Sequence, residues 1–295
     1  MKARHLNTHR IPESQLILNA DNSVYHLGIT GDQIADTVLV VGDPDRVPTI
    51  SKRFDSIEFK QSGREFCVHT GRVGKKRITV LSTGIGVDNI DIVMNEIDAA
   101  VNINPFTRMP HAKLRQLRMV RLGTCGSLRA DIPIGTVVAS AYAIGYDGVP
   151  WHYDMEMETQ ELAIAEAFKK HANWPEELAK PYCARADKLM LNNIGEGMVH
   201  GITLTANGFY GPQNRSLRLP LKEKDRMDTV RSFVHNGLNT SNFEMECAGL
   251  YALGSLLGHR MLTCCVVLAN RYNEEFTSDP SKAVDHLIDA VLERL

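Results

Sequence analysis

The run Thr37-Val38-Leu39-Val40-Val41 is apolar at every position after the first and stops abruptly at Gly42-Asp43-Pro44-Asp45-Arg46. A strand with one wet face alternates; a continuous apolar run belongs to a strand covered on both faces, inside a parallel or mixed sheet. Asp43 is suited to cap a helix whose first position is Pro44, because proline there gives up no needed donor. The same pattern recurs twice: Arg77 to Leu81 runs into Ser82-Thr83-Gly84-Ile85-Gly86, and Met119 to Leu122 into Gly123-Thr124-Cys125-Gly126-Ser127. Sheets of this kind bind ligands at the carboxyl ends of their strands, so glycine-rich turns at three strand ends are the first pointer to function.

The rest of the chain keeps the alternation. Glu65 to Val73 pairs with Arg77 to Leu81 as a hairpin across Gly74-Lys75-Lys76, and Ile90, Met94, Ile97 and Val101 stand at helical spacing. Gly135 to Ile144, Val199 to Thr205 and Leu262 to Leu268 are strand-like; Thr159 to Lys170 and Ala248 to Leu257 are helical. Pro280 to Leu295 is a closing amphipathic helix with Asp279 as its cap. This order predicts an α/β fold, a three-layer sandwich with a central mixed β-sheet flanked by helices. No repeat, low-complexity tract or linker divides the chain, so one domain over 23–295 is expected behind an N-terminal arm over 1–22.

Composition narrows the classes. With 43% hydrophobic and 23% charged residues the chain has the balance of a globular core, and a net charge of −2 argues against a nucleic-acid or membrane partner. Any anion site must then be local. The N-terminus carries no apolar stretch of signal-peptide length, and no segment reaches the length of a membrane span. Six cysteines without a CxxC pair lack metal-ligand spacing; they read as free thiols in a reducing, cytoplasmic compartment.

Four segments carry chemistry. Gly42-Asp43-Pro44-Asp45-Arg46 combines a close-approach glycine, a helix N-terminus and a guanidinium, which suits an anion. Arg121, inside an apolar strand, needs an anionic partner: a phosphate, with Thr124 adding a hydroxyl, or an internal carboxylate. In Phe243-Glu244-Met245-Glu246 two carboxylates share one face of an extended segment and suit sugar hydroxyls; the alternative is a pair of acids favoured by a helix N-terminus. Phe209-Tyr210-Gly211-Pro212-Gln213-Asn214-Arg215 offers a ring, an amide and a guanidinium in one loop, matched to an imide edge, or else a polar surface loop.

In this order, with Val24-Tyr25-His26-Leu27-Gly28-Ile29-Thr30 and Arg64-Glu65-Phe66, these segments resemble the uridine phosphorylase branch of the nucleoside phosphorylase family. The resemblance runs from about Val24 to the C-terminus. It implies that Gly42, Arg46, Arg121 and Thr124 hold phosphate, joined by Arg64 from a neighbouring subunit. It implies that Glu246 and Met245 hold ribose, with the neighbour's His26 at the 5′-hydroxyl, and that Phe209, Gln213 and Arg215 bind the base with Arg271 behind it. The expected reaction is phosphorolysis of uridine, with Arg46, Arg121, Glu246, Gln213 and Arg215 as the catalytic set and phosphate as co-substrate rather than any cofactor. Shared sites make a homo-oligomer, dimer or hexamer, the expected assembly. Some relatives hold a monovalent cation between subunits with a glutamate matching Glu65 and a serine; Asn89 replaces the serine, and no metal is expected.

Alternatives stay open: a purine nucleoside phosphorylase, a hydrolytic nucleosidase, or a non-catalytic nucleoside-binding protein. Purine-cleaving relatives carry an aspartate on the loop corresponding to Leu268-Ala269-Asn270-Arg271, and none stands here before Arg271. Two stretches, Asn104 to Arg118 and Trp174 to Glu196, look like insertions without an assigned role; Pro212 stands where glycine is common.

Overall fold

From Val38 to Val41 the first buried run is wholly inaccessible to water, as a strand flanked on both edges and both faces must be. The computed structural model describes residues 1–295. In chain order its strands begin β1 (Lys2–Ala3), β2 (Thr37–Val41), β3 (Ser56–Gly63), β4 (Phe66–Val73), β5 (Lys76–Ser82), β6 (Arg118–Ser127) and β7 (Val137–Gly145). They continue β8 (Met155–Glu156), β9 (Tyr182–Arg185), β10 (Val199–Thr205), β11 (Val234–His235), β12 (Leu238–Glu244), β13 (Arg260–Asn270) and β14 (Glu275–Phe276). The helices are α1 (Arg46–Ser51), α2 (Val87–Asn102), α3 (Thr159–His171), α4 (Lys188–Asn193), α5 (Arg226–Arg231), α6 (Cys247–Leu256) and α7 (Pro280–Leu292).

Twelve strands form one mixed sheet in the order β11-β12-β10-β7-β13-β6-β2-β5-β4-β3, with β9 on β7 and β14 on β13. The predicted architecture of a mixed sheet between helices is what the chain adopts. β5, β2, β6 and β13 run parallel; β7 reverses against β13, and β10 and β12 follow β7 in parallel. One pairing goes beyond an open sheet. β12 also meets β6 through Asn242 opposite Ser127 and Phe243 opposite Gly126, so β6, β13, β7, β10 and β12 close into a ring. That closure sets the last residues of β6 beside the glutamates that follow Phe243.

α6 is apolar nearly all round and buried, in contact with α2, β7, β9 and β13, inside the larger of the core clusters. A second, aromatic cluster gathers Tyr146, Phe168, Trp174, Phe233 and Phe243. All six cysteines are unpaired, five of them buried and Cys67 half-buried. No helix is long and apolar enough to cross a membrane.

Three local expectations change. Helix α1 begins at Arg46 rather than Pro44: the Asp43 carboxylate accepts from the Asp45 amide at 2.9 Å, and the carbonyls of Asp43 and Pro44 accept from Arg46 and Val47 at 3.1 Å, which makes turns before the helix. Gly123 to Ser127 is the second half of β6, not a turn, since its residues go on pairing with β13 from Cys265 to Asn270, with one register shift between Val267 and Ala269. β3 is an added edge strand whose mixed composition, largely exposed, gives little periodic signal.

Candidate active site

A cavity of about 1100 Å³ opens where β2, β6, β12 and β13 end. Gly42, Arg46, Arg121, Thr124, Phe209, Gln213, Arg215, Met245, Glu246 and Arg271 all line it. His26 and Arg64 do not. The His26 ring Nδ1 lies 2.5 Å from a Glu96 carboxylate oxygen, and the amides of His26 and Leu27 donate to the same carboxylate. Arg64 sits in the turn between β3 and β4 with φ 55°. The His26 ring meets Phe66, two residues past Arg64, edge-on at 6.4 Å.

Arg121 is the buried centre of the site. Its Nη1 is 3.2 Å from Glu244 Oε2 and its Nη2 bonds Glu246 Oε2, while Nη1 also donates to the Cys265 thiol at 3.1 Å. Internal carboxylates therefore hold this arginine at the wall of the cavity, and its Nε keeps a donor without an acceptor. Burial works against the charge, but Glu246 and Glu244 outweigh it and keep the guanidinium protonated far above any ordinary pH. The neighbouring glycine is required by this path: a Cβ on Gly123 would stand 1.9 Å from Arg121 Nη1. Arg46 reaches in from the first position of α1, donating from Nη1 to the Leu122 carbonyl at 3.1 Å. Burial and the adjacent Arg121 charge lower its pKa. Two partly desolvated guanidiniums side by side are relieved by an anion between them.

The two glutamates divide their work. Glu244 is spent on the start of α6, accepting from the amides of Glu246 (2.9 Å) and Cys247 (2.9 and 3.0 Å) and from Thr205 Oγ1 at 2.5 Å. Burial raises its pKa against the opposing pull of Arg121. Glu246 instead accepts from the Gly86 amide at 2.8 Å, which ties the turn after β5 into the site. For Glu244 the helix-start reading holds; Glu246 lines the cavity with one oxygen on the Gly86 amide and the other on Arg121. Gly84, at φ 71°, admits Asn89 and Glu65 to the cavity wall, where a Cβ would meet Asn89 Nδ2 at 2.4 Å.

The loop on the opposite side is a single 3₁₀ turn, Gly211–Gln213, followed by Asn214 in the left-handed region at φ 57°. Pro212 fits because Gly208 leaves room: a Cβ there would be 2.7 Å from the proline ring. Arg215 lies 4.0 Å over the Phe209 ring and donates from Nη1 to Gln213 Oε1 at 2.6 Å. That bond leaves the Gln213 amide nitrogen free to donate. Arg271 holds the loop from behind, bonding the Gln213 carbonyl at 2.5 Å; burial and the nearby Arg215 charge lower its pKa to about 10. Asn270 is fully used: its amide nitrogen serves the Arg129 and Ile132 carbonyls at 3.0 Å, and its oxygen accepts from Tyr272 and Asn273 at 2.9 Å.

The cavity also has a wall that the sequence does not announce. Glu275 and Phe276 line it from β14, a two-residue strand folded back on the end of β13, with Glu274 just before it. So short an element has no periodicity to detect.

The family model of the phosphorylase superfamily matches residues 36–294, and the chain belongs to that family. The uridine phosphorylase of Thermococcus kodakarensis is 29% identical over 255 residues, covering 85% of this chain and 79% of that one. A solved structure, a Trypanosoma brucei nucleoside phosphorylase described as showing uridine phosphorylase activity, superposes with a TM-score of 0.86 at 28% identity, over 95% of this chain and 99% of that one. A DeoD-type purine nucleoside phosphorylase of Caldanaerobacter subterraneus is 28% identical over 254 residues, 86% of this chain and 90% of that one. Overall identity alone therefore does not choose the base; the site has to.

Proposed function

We propose that this chain cleaves uridine with inorganic phosphate, giving uracil and ribose 1-phosphate. The observation that carries the reading is the loop Phe209 to Arg215, whose ring, amide and guanidinium face the same cavity as Arg46, Arg121 and Glu246. Phosphate is a co-substrate, held by Arg46, Arg121, Thr124 and the backbone at Gly42. Glu246 accepts hydroxyl protons of the ribose while Met245 packs against it.

In the step itself a phosphate oxygen forms a bond to the anomeric carbon as the bond to the uracil nitrogen breaks. The bonding pair leaves with the base, so positive charge builds on the sugar and negative charge on the uracil oxygens. Gln213 and Arg215 stabilise that negative charge where it develops, which removes the need for a general acid. A purine leaves more readily when a carboxyl group protonates its ring, and the loop residue Asn270 has no free donor to offer. The arginine pair also argues against water as nucleophile, since a hydrolase has no anion to hold.

His26 and Arg64, away from their own chain's cavity, complete the cavity of a second copy, so the active unit is a symmetric pair or a larger assembly of pairs. The test is uracil release from uridine with and without phosphate, alongside inosine. Phosphate-dependent release from uridine alone is expected. Release without phosphate would mark a hydrolase, and turnover of inosine alone would overturn the base assignment.

A further inference from the structure

Behind the base loop lies a second cavity, of about 700 Å³, that the proposed reaction does not use. Phe209 faces the active cavity, whereas the next residue, Tyr210, lines this one. The far wall is built by Trp174 to Ala179, part of the insertion for which the sequence offers no role. At its floor Tyr146 is 5% exposed and its hydroxyl has no hydrogen-bond partner. The ring cannot turn to find one: it packs on Trp174 at 4.6 Å and Phe168 at 5.9 Å, and edge-on to Phe243 at 6.2 Å. A buried phenol without an acceptor has lost its hydration and gained nothing in exchange. Charge at the rim is also unbalanced. Lys222 pairs with Glu177 at 3.2 Å and Arg226 with Glu223 at 2.7 Å, which leaves Arg218, as well as the shared Arg215, without a carboxylate.

Aromatic walls, an idle donor and a surplus cation together select a flat apolar molecule that carries an anionic acceptor. We propose that this cavity is a second binding site, for a small aromatic carboxylate, and that its occupancy is coupled to the base site through Arg215 and Phe243. Arg215 lines both cavities; Phe243 lines the active one and touches the Tyr146 ring. A ligand that shifts either residue alters the surface on which the base stacks, and the coupling is reciprocal.

The probe is 2-naphthoate, titrated by calorimetry and by tryptophan quenching in a Trp151→Phe protein, where Trp174 is the remaining tryptophan. Saturable binding of one molecule per chain is expected, with quenching of Trp174. It should persist in saturating uracil and phosphate with an altered affinity, and naphthoate should shift the KM for uridine. Tyr146→Phe and Arg218→Ala should each weaken the probe about five-fold or more while leaving the melting temperature near that of the parent protein. No saturable binding at millimolar probe, displacement by uracil, or unchanged affinity in both variants overturns the site. An unchanged KM overturns the coupling. Binding is read without turnover, so its failure is separable from failure of the phosphorolysis reading.

Discussion

Arg121 depends on an absence. Gly123, two residues along the same strand, lets the guanidinium lie back across β6 toward Glu244 and Glu246. Gly123→Ala should push it away, destabilising the protein by about 1–3 kcal/mol and raising the KM for phosphate more than that for uridine; denaturant titration and initial rates at varied phosphate measure both. Equal changes in the two KM values would detach Arg121 from phosphate. Glu246→Gln keeps the shape and removes the charge that faces Arg121 and the ligand. Its kcat should fall by about 10²–10³-fold while the fold survives, because Glu244 still neutralises the arginine. At this scale the sequence was legible in residue type: a lone arginine in an apolar strand had to find an anion. It could not say that two internal carboxylates would hold one guanidinium at a cavity wall, because those partners arrive from 123 and 125 positions away.

Elements follow the same division. β2, β10, α2, α3 and α7 are written in local periodicity and caps, and Asp279 accepts from the Lys282 amide at 3.0 Å as its place before Pro280 implies. Boundaries at glycine-rich strand ends are not local properties. Gly123 to Ser127 is extended because β13 and β12 are there to pair with it, and β14 exists only against the end of β13. The start of α6 gives a prediction that belongs to the element. Glu244 caps it with a carboxyl whose folded pKa is raised above 4.5 by burial. A carboxyl of that kind contributes stability fully below its unfolded value and loses it as pH rises through the folded one. Between pH 4.5 and that raised value the wild type should therefore lose stability relative to Glu244→Gln, read from urea midpoints. Parallel pH profiles would refute the shift.

For the whole molecule, the resemblance carried by short segments extends to the fold, since a nucleoside phosphorylase at 28% identity superposes over 95% of this chain. The positions of His26 and Arg64 lead to a test that single chains cannot pass. A mixture of Arg64→Ala and Glu246→Ala proteins should recover turnover, because each mixed pair contains one cavity with both residues intact. No recovery in verified mixed pairs would count against sharing. The ring that joins β12 to β6 has a temporal consequence. Its seam links Ser127 to Asn242, residues far apart along the chain, and distant pairings of that sort form late. Helices can settle and β2 can pair with β5 while the seam is still open; until it shuts, Arg121 has no carboxylates and the cavity wall is incomplete. A refolding chain should therefore look native by helicity before it is competent, and a partly made molecule stays chemically silent.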